Sequence, residues 1–185
     1  MVRERRLTMT PRLRKLALTA HVMSSVGWLG AVLAFLALAV TGLTSQDTET
    51  ARAVYLAAEP LTWYVLVPLA VASLLTGLVC SLGSPWGLFR HYWVLFKLLL
   101  NVLATVVLLL YTRTVSTFAD LAGAPGADLD ALRAPTFVLH SALALLVLLV
   151  ATVLAVYKPR GLTRYGQRQQ SDERRRRRVP GVLVP

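Results

Sequence analysis

A few side chains stand out because they are polar where their neighbours are not. In the stretch FRHYWVLFKLLLNVLATVVLLLYT (Phe89 to Thr112), Lys97, Asn101 and Thr105 recur at i, i+4 and i+8. On a helix that spacing places all three on one face. His21 lies in the uncharged run Leu16 to Leu43, and His140 in the run Ala134 to Tyr157. An inward amine can bind an anionic group, and an imidazole can ligate haem iron. Lys97 has two readings. From about 9 Å inside the nearer boundary its stem can bend back to the headgroups. Alternatively the amine faces the bundle interior, binding an anion or working beside His21. The first reading predicts a harmless Lys97→Arg; the second predicts a harmful one, because an amine and a guanidinium differ in shape and titration.

The helical rise sets the depths. His21 lies about 8 to 11 Å into its run, level with Lys97, while His140 lies about 8 Å from the opposite surface, near Thr105. Two polar layers follow, His21 with Lys97 and His140 with Thr105, and Asn101 sits between them. His21 and His140 are separated by roughly 12–15 Å in depth, which argues against both ligating one iron. Copper is disfavoured: soft ligands are few, and Met23, two residues from His21, lies on another face. There is no H-E-x-x-H, no Gly-rich phosphate loop and no carboxylate within an apolar run. The single cysteine, Cys80, excludes an intrachain disulfide and a CxxC site.

The elements that hold these residues are membrane helices. Of 185 residues, 56% are hydrophobic and 16% charged, with mean hydropathy +0.59. A soluble domain carries about 25% charged residues. Four apolar runs, about 16–43, 61–82, 91–111 and 134–157, reach the roughly 20 residues that cross a bilayer. Their unbroken Leu/Val/Ala composition fits helices, since barrel strands alternate. The first run exceeds a signal-peptide core of roughly 7–15 residues, so it reads as a retained helix. Thr10-Pro11 signals a helix start, Gly83-Ser84-Pro85 and Gly123 to Gly126 signal breaks, and Pro68 signals a kink.

Charge sets the threading. Residues 1–15, Arg90 and residues 158–185 carry sixteen Lys/Arg and three Asp/Glu, whereas 44–60 and 112–133 carry three Lys/Arg and six Asp/Glu. The positive-inside rule then puts both termini in the cytoplasm. The expected fold is all-α: a polytopic four-transmembrane-helix bundle, N-in/C-in. It has a basic cytoplasmic arm over 1–13, a membrane domain over 14–157 and a disordered Arg-rich tail over 158–185. The tail attracts anionic lipids. The net charge of +11 does not indicate nucleic acid, since no aromatic residues interleave the arginines. A small-residue seam, Ala17, Ala20, Ser24, Gly27, Ala31 and Ala34, marks a packing stripe on the first helix. His21, Trp28 and Phe35 run beside it at steps of seven, and Gly30 follows Trp28. Ser73, Gly77 and Ser81 mark a face on the second helix.

The segment HVMSSVGWLG, with His21 six residues before Trp28-Leu29-Gly30, resembles the first-helix signature of copper-resistance D-type membrane proteins. It is also similar to the opening helix of the bacterial membrane protoporphyrinogen oxidase. The ending LAVYKPRG (Leu154 to Gly161) looks like that oxidase family's cytoplasmic exit. Residues 14–161 most resemble an uncharacterised actinobacterial small integral-membrane family, above all in SLLTGLVCSLGSPWGLFRHYWVLFK. The oxidase resemblance implies b-type haem and functional roles for His21 and Lys97. Two expectations stand. One is a non-enzymatic structural, accessory or small-ligand-binding protein of the bacterial cytoplasmic membrane. The other is a haem- or porphyrin-linked redox protein using His21 and Lys97, with His140 a further candidate. Transport by one four-helix chain would require a homo-oligomer.

Overall fold

The computed structural model describes residues 9–83, 89–126, 133, 135–159 and 161–178. The described residues fold into helices: α1 (Pro11–Thr44), α2 (Thr48–Leu61), α3 (Val67–Leu82), α4 (Tyr92–Gly123), α5 (Thr136–Tyr157) and α6 (Arg164–Arg178). A π-helical turn over Thr62–Leu66 joins α2 to α3, making one continuous rod. Four of these pieces, Pro11–Thr44, Thr48–Leu82, Tyr92–Gly123 and Thr136–Tyr157, are long and apolar enough to cross a membrane. Only 17–28% of their most apolar windows is buried inside the protein. Helices this apolar on their outer faces need lipid to cover them. The chain is a four-helix, multi-pass integral membrane protein.

Local chemistry sets the helix ends. The Thr10 hydroxyl accepts the Leu13 N–H at 3.4 Å, and Pro11, which lacks an N–H, takes the first helical position. Helix α1 ends at Thr44, and Asp47 caps α2 by accepting the Thr50 N–H at 3.0 Å. So short a link forces neighbouring antiparallel helices. Helix α4 ends at Gly123, and Gly126 takes φ 75°, a turn conformation that suits glycine. Helix α3 ends at Leu82; the rest of the expected Gly83-Ser84-Pro85 break lies outside the described residues.

The rods pack in a ring in which α1 meets α2, α3 and α5, and α4 meets α2, α3 and α5. Two spans extend beyond their apolar runs. The segment 48–60, expected as loop, is helical because Ala51, Val54, Tyr55 and Ala58 form a buried stripe at helical spacing. Its partner is the last third of α4, where Val115, Ala119 and Ala122 are buried. The π turn preserves a face. Ala58, Thr62, Leu66 and Ala70 are all buried, each four residues from the next. In an α-helix a step of four overshoots a full turn by about 40°, so the stripe would wind off the interface. The wider π turn absorbs the excess, and Val67 N–H closes it on the Thr62 carbonyl. Pro68 follows directly, so the irregularity expected from it sits one turn earlier.

The core is densest at the end of the bundle away from the termini. Phe137, on α5, gathers aromatic rings from every other rod. Its ring centroid lies 5.7 Å from Phe35, 5.2 Å from Tyr55, 5.8 Å from Tyr111 and 5.1 Å from Phe118. Arginines close the same end. Arg52 donates to the Gly123 carbonyl at 3.1 Å, and Arg133 to the Ser45 carbonyl at 3.1 Å. Each cation sits at the negative end of a helix dipole.

At the terminal end the tail is fastened down. The sequence reading of a disordered 158–185 differs from the structure over 164–178, which is helical. Arg and Gln are strong helix formers, and Thr163 caps the helix by accepting the Gly166 N–H at 3.1 Å. Thr163 also donates its hydroxyl to the Phe89 carbonyl at 2.5 Å and its N–H to Arg90 at 3.1 Å. Tyr92 N–H returns a bond to Gly161 at 3.3 Å. A Cβ on Gly166 would run into the Arg90 carbonyl. Residues 179–185 lie outside the described residues, as does most of the 1–13 arm, whose last residues already belong to α1.

Candidate functional site

Helix α1 buries the stripe His21, Ser24, Trp28, Ala31, Phe35. The small-residue seam only partly coincides with it. Ser24 and Ala31 are buried and Ala17 and Gly27 are half-buried, but Ala20 and Ala34 are exposed. A Cβ at Gly30 would meet nothing within 4 Å, so this glycine is not a packing residue. The large side chains Trp28 and Phe35 set the interface, because the aromatic cluster beyond them holds the rods apart.

That orientation turns His21 inward. Its Nδ1 lies 3.2 Å from Thr76 Oγ1, and its Nε2 lies 3.4 Å from Lys97 Nζ. Thr76 donates its one hydroxyl proton to the Ala72 carbonyl at 2.6 Å. With that proton committed, Thr76 can only accept from His21, so Nδ1 carries the hydrogen and Nε2 is the acceptor. Lys97 therefore donates to His21. Of the two readings of Lys97, the structure adopts the inward one. The surroundings hold the ring tightly: Ser24 Oγ donates to the His21 carbonyl at 3.1 Å, and Ser25 meets Ser73 at 2.9 Å. Gly77 supplies the floor, since a Cβ there would stand 3.0 Å from His21 Cε1.

His21 and Lys97 line a cavity of about 540 Å³ between α1, α3, α4 and the end of α5. Arg14 and Lys158 also line it, and no Asp or Glu stands among the described residues of its wall. Asn101 closes its inner end. That residue is 9% exposed, and its Oδ1 has no hydrogen-bond partner. Buried amide oxygens without a partner are rare in native structures and call for an explanation. Thr105, one turn on, is buried and returns its hydroxyl to the Asn101 carbonyl at 2.8 Å, so it is satisfied within its own helix.

His140 belongs to a different place. Its Nδ1 donates to the Thr136 carbonyl at 2.9 Å, and its ring stacks on Tyr111 with centroids 4.0 Å apart. The Tyr111 hydroxyl donates to Thr136 Oγ1 at 3.1 Å. His140 lines a second, almost wholly apolar cavity of about 340 Å³ with Trp28, Phe35 and Leu108. His21 and His140 share no cavity, as their depths require. No group of three or more His, Cys, Asp or Glu among the described residues could hold a metal ion.

Thr76 and Arg14 were not singled out from sequence. Thr76 lies between Ser73 and Gly77 on the marked face of the second rod, so its signal was present. Arg14 was hidden in the basic run that precedes the first apolar segment. No family model, no curated protein and no solved structure matches this chain.

Proposed function

We propose that this integral membrane protein is a non-enzymatic, small-ligand-binding four-helix protein whose binding site is the cavity around His21 and Lys97. The observation that carries the reading is the direction of Lys97. A lysine at this depth can reach the headgroups, yet its amine turns inward onto His21 Nε2 at 3.4 Å, beside a cavity of about 540 Å³. Small-molecule sites commonly measure about 300–1,000 Å³. The lining offers cations and hydrogen-bonding groups that can hold a ligand. In this reading both termini lie in the cytoplasm of a bacterium, which the distribution of sixteen Lys/Arg against three supports. Helix α6 then lies at the inner surface, where its arginines attract anionic lipid. A homo-oligomer belongs to the same proposal.

A second reading, binding of b-type haem, is favoured by one observation. Thr76 holds His21 Nδ1 and leaves Nε2 toward the cavity, which is how outer-shell partners orient an iron-ligating imidazole. Lys97 stands against it, because its amine occupies the approach to Nε2 and would have to swing aside.

The test is the co-purifying material. The protein is extracted in a non-ionic detergent, its spectrum recorded, and its bound small molecules released into solvent and weighed by mass spectrometry. A bound species carried by the wild type and lost in Ala17→Trp, which fills the cavity wall, supports the ligand-binding reading. Equal loads in both proteins would refute it. A Soret band abolished by His21→Ala would establish the second reading instead.

A further inference from the structure

Resting on the ligand-binding reading above, we propose that the larger cavity takes a single-chain amphiphile with an oxyanion head, a carboxylate or a phosphate monoester. The head lies against Lys97 and Arg14, and the hydrocarbon chain leaves sideways between Leu18, Val22 and Leu98.

The cavity's charge requires the first half. Lys97 Nζ has three hydrogens, and one of them points to His21 Nε2. The other two make no hydrogen bond among the described residues and face a wall shared with Arg14 and lacking carboxylates among its described residues. His21 cannot neutralise this amine; as the Nδ1–H tautomer it only orients it. An oxyanion with several lone pairs accepts from the ammonium and the guanidinium together. Asn101 supplies an independent sign of a missing occupant. It is nine-tenths buried, it lines this same cavity, and its amide oxygen has nothing to accept from. A half-turn of the side-chain amide exchanges its oxygen and its NH2 group, and the NH2 then donates to the oxyanion head.

The second half follows from where the cavity opens. Leu18 and Val22 line it, yet they are 54% and 51% exposed on the outer surface of α1. In a membrane that surface meets acyl chains, so the cavity has a lateral apolar exit as well as a mouth at Arg14. A small hydrophilic anion uses only the mouth. A molecule with a charged head and an apolar chain uses both.

The test uses the full-length protein in dodecyl maltoside, with quenching of intrinsic tryptophan fluorescence as the readout, since Trp93 lines the cavity. Oleate is titrated against methyl oleate, acetate and inorganic phosphate. The proposal expects oleate to bind at least tenfold more tightly than methyl oleate, and acetate and phosphate to bind more weakly still. Lys97→Met and Lys97→Gln should each weaken oleate at least tenfold, and Asn101→Leu several-fold. Circular dichroism shows which variants are folded, and Arg14→Ala, at the exposed mouth, provides a third reading of the same charge. Equal binding of oleate and methyl oleate would overturn the oxyanion head while leaving a ligand site in place. Acetate or phosphate binding as tightly as oleate would overturn the amphiphile and indicate a free-anion site. If no probe binds and no material co-purifies, the proposal and the reading beneath it both fall.

Discussion

The two ends of the bundle are built on opposite principles. At the end away from the termini, five aromatic rings from all four rods meet at Phe137, and two arginines close the helix ends. At the terminal end the same rods diverge around about 540 Å³ of space lined by His21, Lys97 and Asn101. In lipid no hydrophobic force holds helices together, so association rests on packing and hydrogen bonds. The first end supplies the packing; the second end can then leave a cavity and an unpartnered amide. Stability and ligand binding should therefore respond to different residues.

The sharpest way to break this contrast is Phe137→Ala. Large-to-small changes at a buried aromatic position cost about 3–5 kcal/mol, and Phe137 is 2% exposed. Thermal unfolding in detergent should show a loss of that order. Oleate affinity, measured on the fraction still folded, should stay within about twofold. An equal loss of affinity would mean that the two ends are one cooperative unit.

Gly77→Ala probes the other end with the reverse expectation. Alanine gains about 1 kcal/mol of helix propensity over glycine, while its Cβ presses on His21 Cε1 from 3.0 Å. The unfolding midpoint should hold or rise, and oleate binding should weaken several-fold as the ring moves off Lys97. A variant both less stable and equally tight would reverse the assignment of roles.

The smallest effect concerns Asp47, the exposed cap of α2. The Thr50 hydroxyl and backbone N–H hold its carboxyl below the usual carboxylate range. A lowered folded-state pKa contributes stability that is complete above the unfolded value and fades as pH falls through the folded one. The wild-type midpoint should therefore decline slightly more than that of Asp47→Asn on acidification below about pH 4. The asparagine keeps the cap and removes the titration. Superimposable profiles would show that this cap does not contribute to holding the distal end.

The four spans were legible because long uncharged runs have few alternatives in a chain of this composition. The inner pairing of His21 with Lys97 was legible as equal depth, from the rise of a helix alone. What the sequence concealed was instructive. Glu49, Arg52 and Glu59 made 48–60 look like loop, although Ala51, Val54 and Ala58 already had helical spacing. The seam of small residues on α1 suggested one packing face, and the bulky neighbours Trp28 and Phe35 won, because Phe35 stacks on Phe137 and Trp28 belongs to the same buried cluster. The direction of Lys97 depends on which face of α4 meets the others, and that is decided by contacts distant in sequence. The tail helix depends on Thr163 meeting the backbone at Phe89 and Arg90, a pairing no local pattern announces.

The π turn at Thr62–Leu66 has a consequence for how the two ends stay in phase. It holds a surplus of about one residue relative to ordinary winding. Removing one residue from that stretch would return the rod to ordinary α winding and leave its two flanks in phase, so Ser73, Thr76 and Gly77 would still reach the imidazole. Removing a second residue, with no surplus left to absorb it, would rotate everything beyond by about 100° and swing those three residues away. One codon deletion there should thus leave recognition intact, and two should uncouple it from an otherwise intact scaffold.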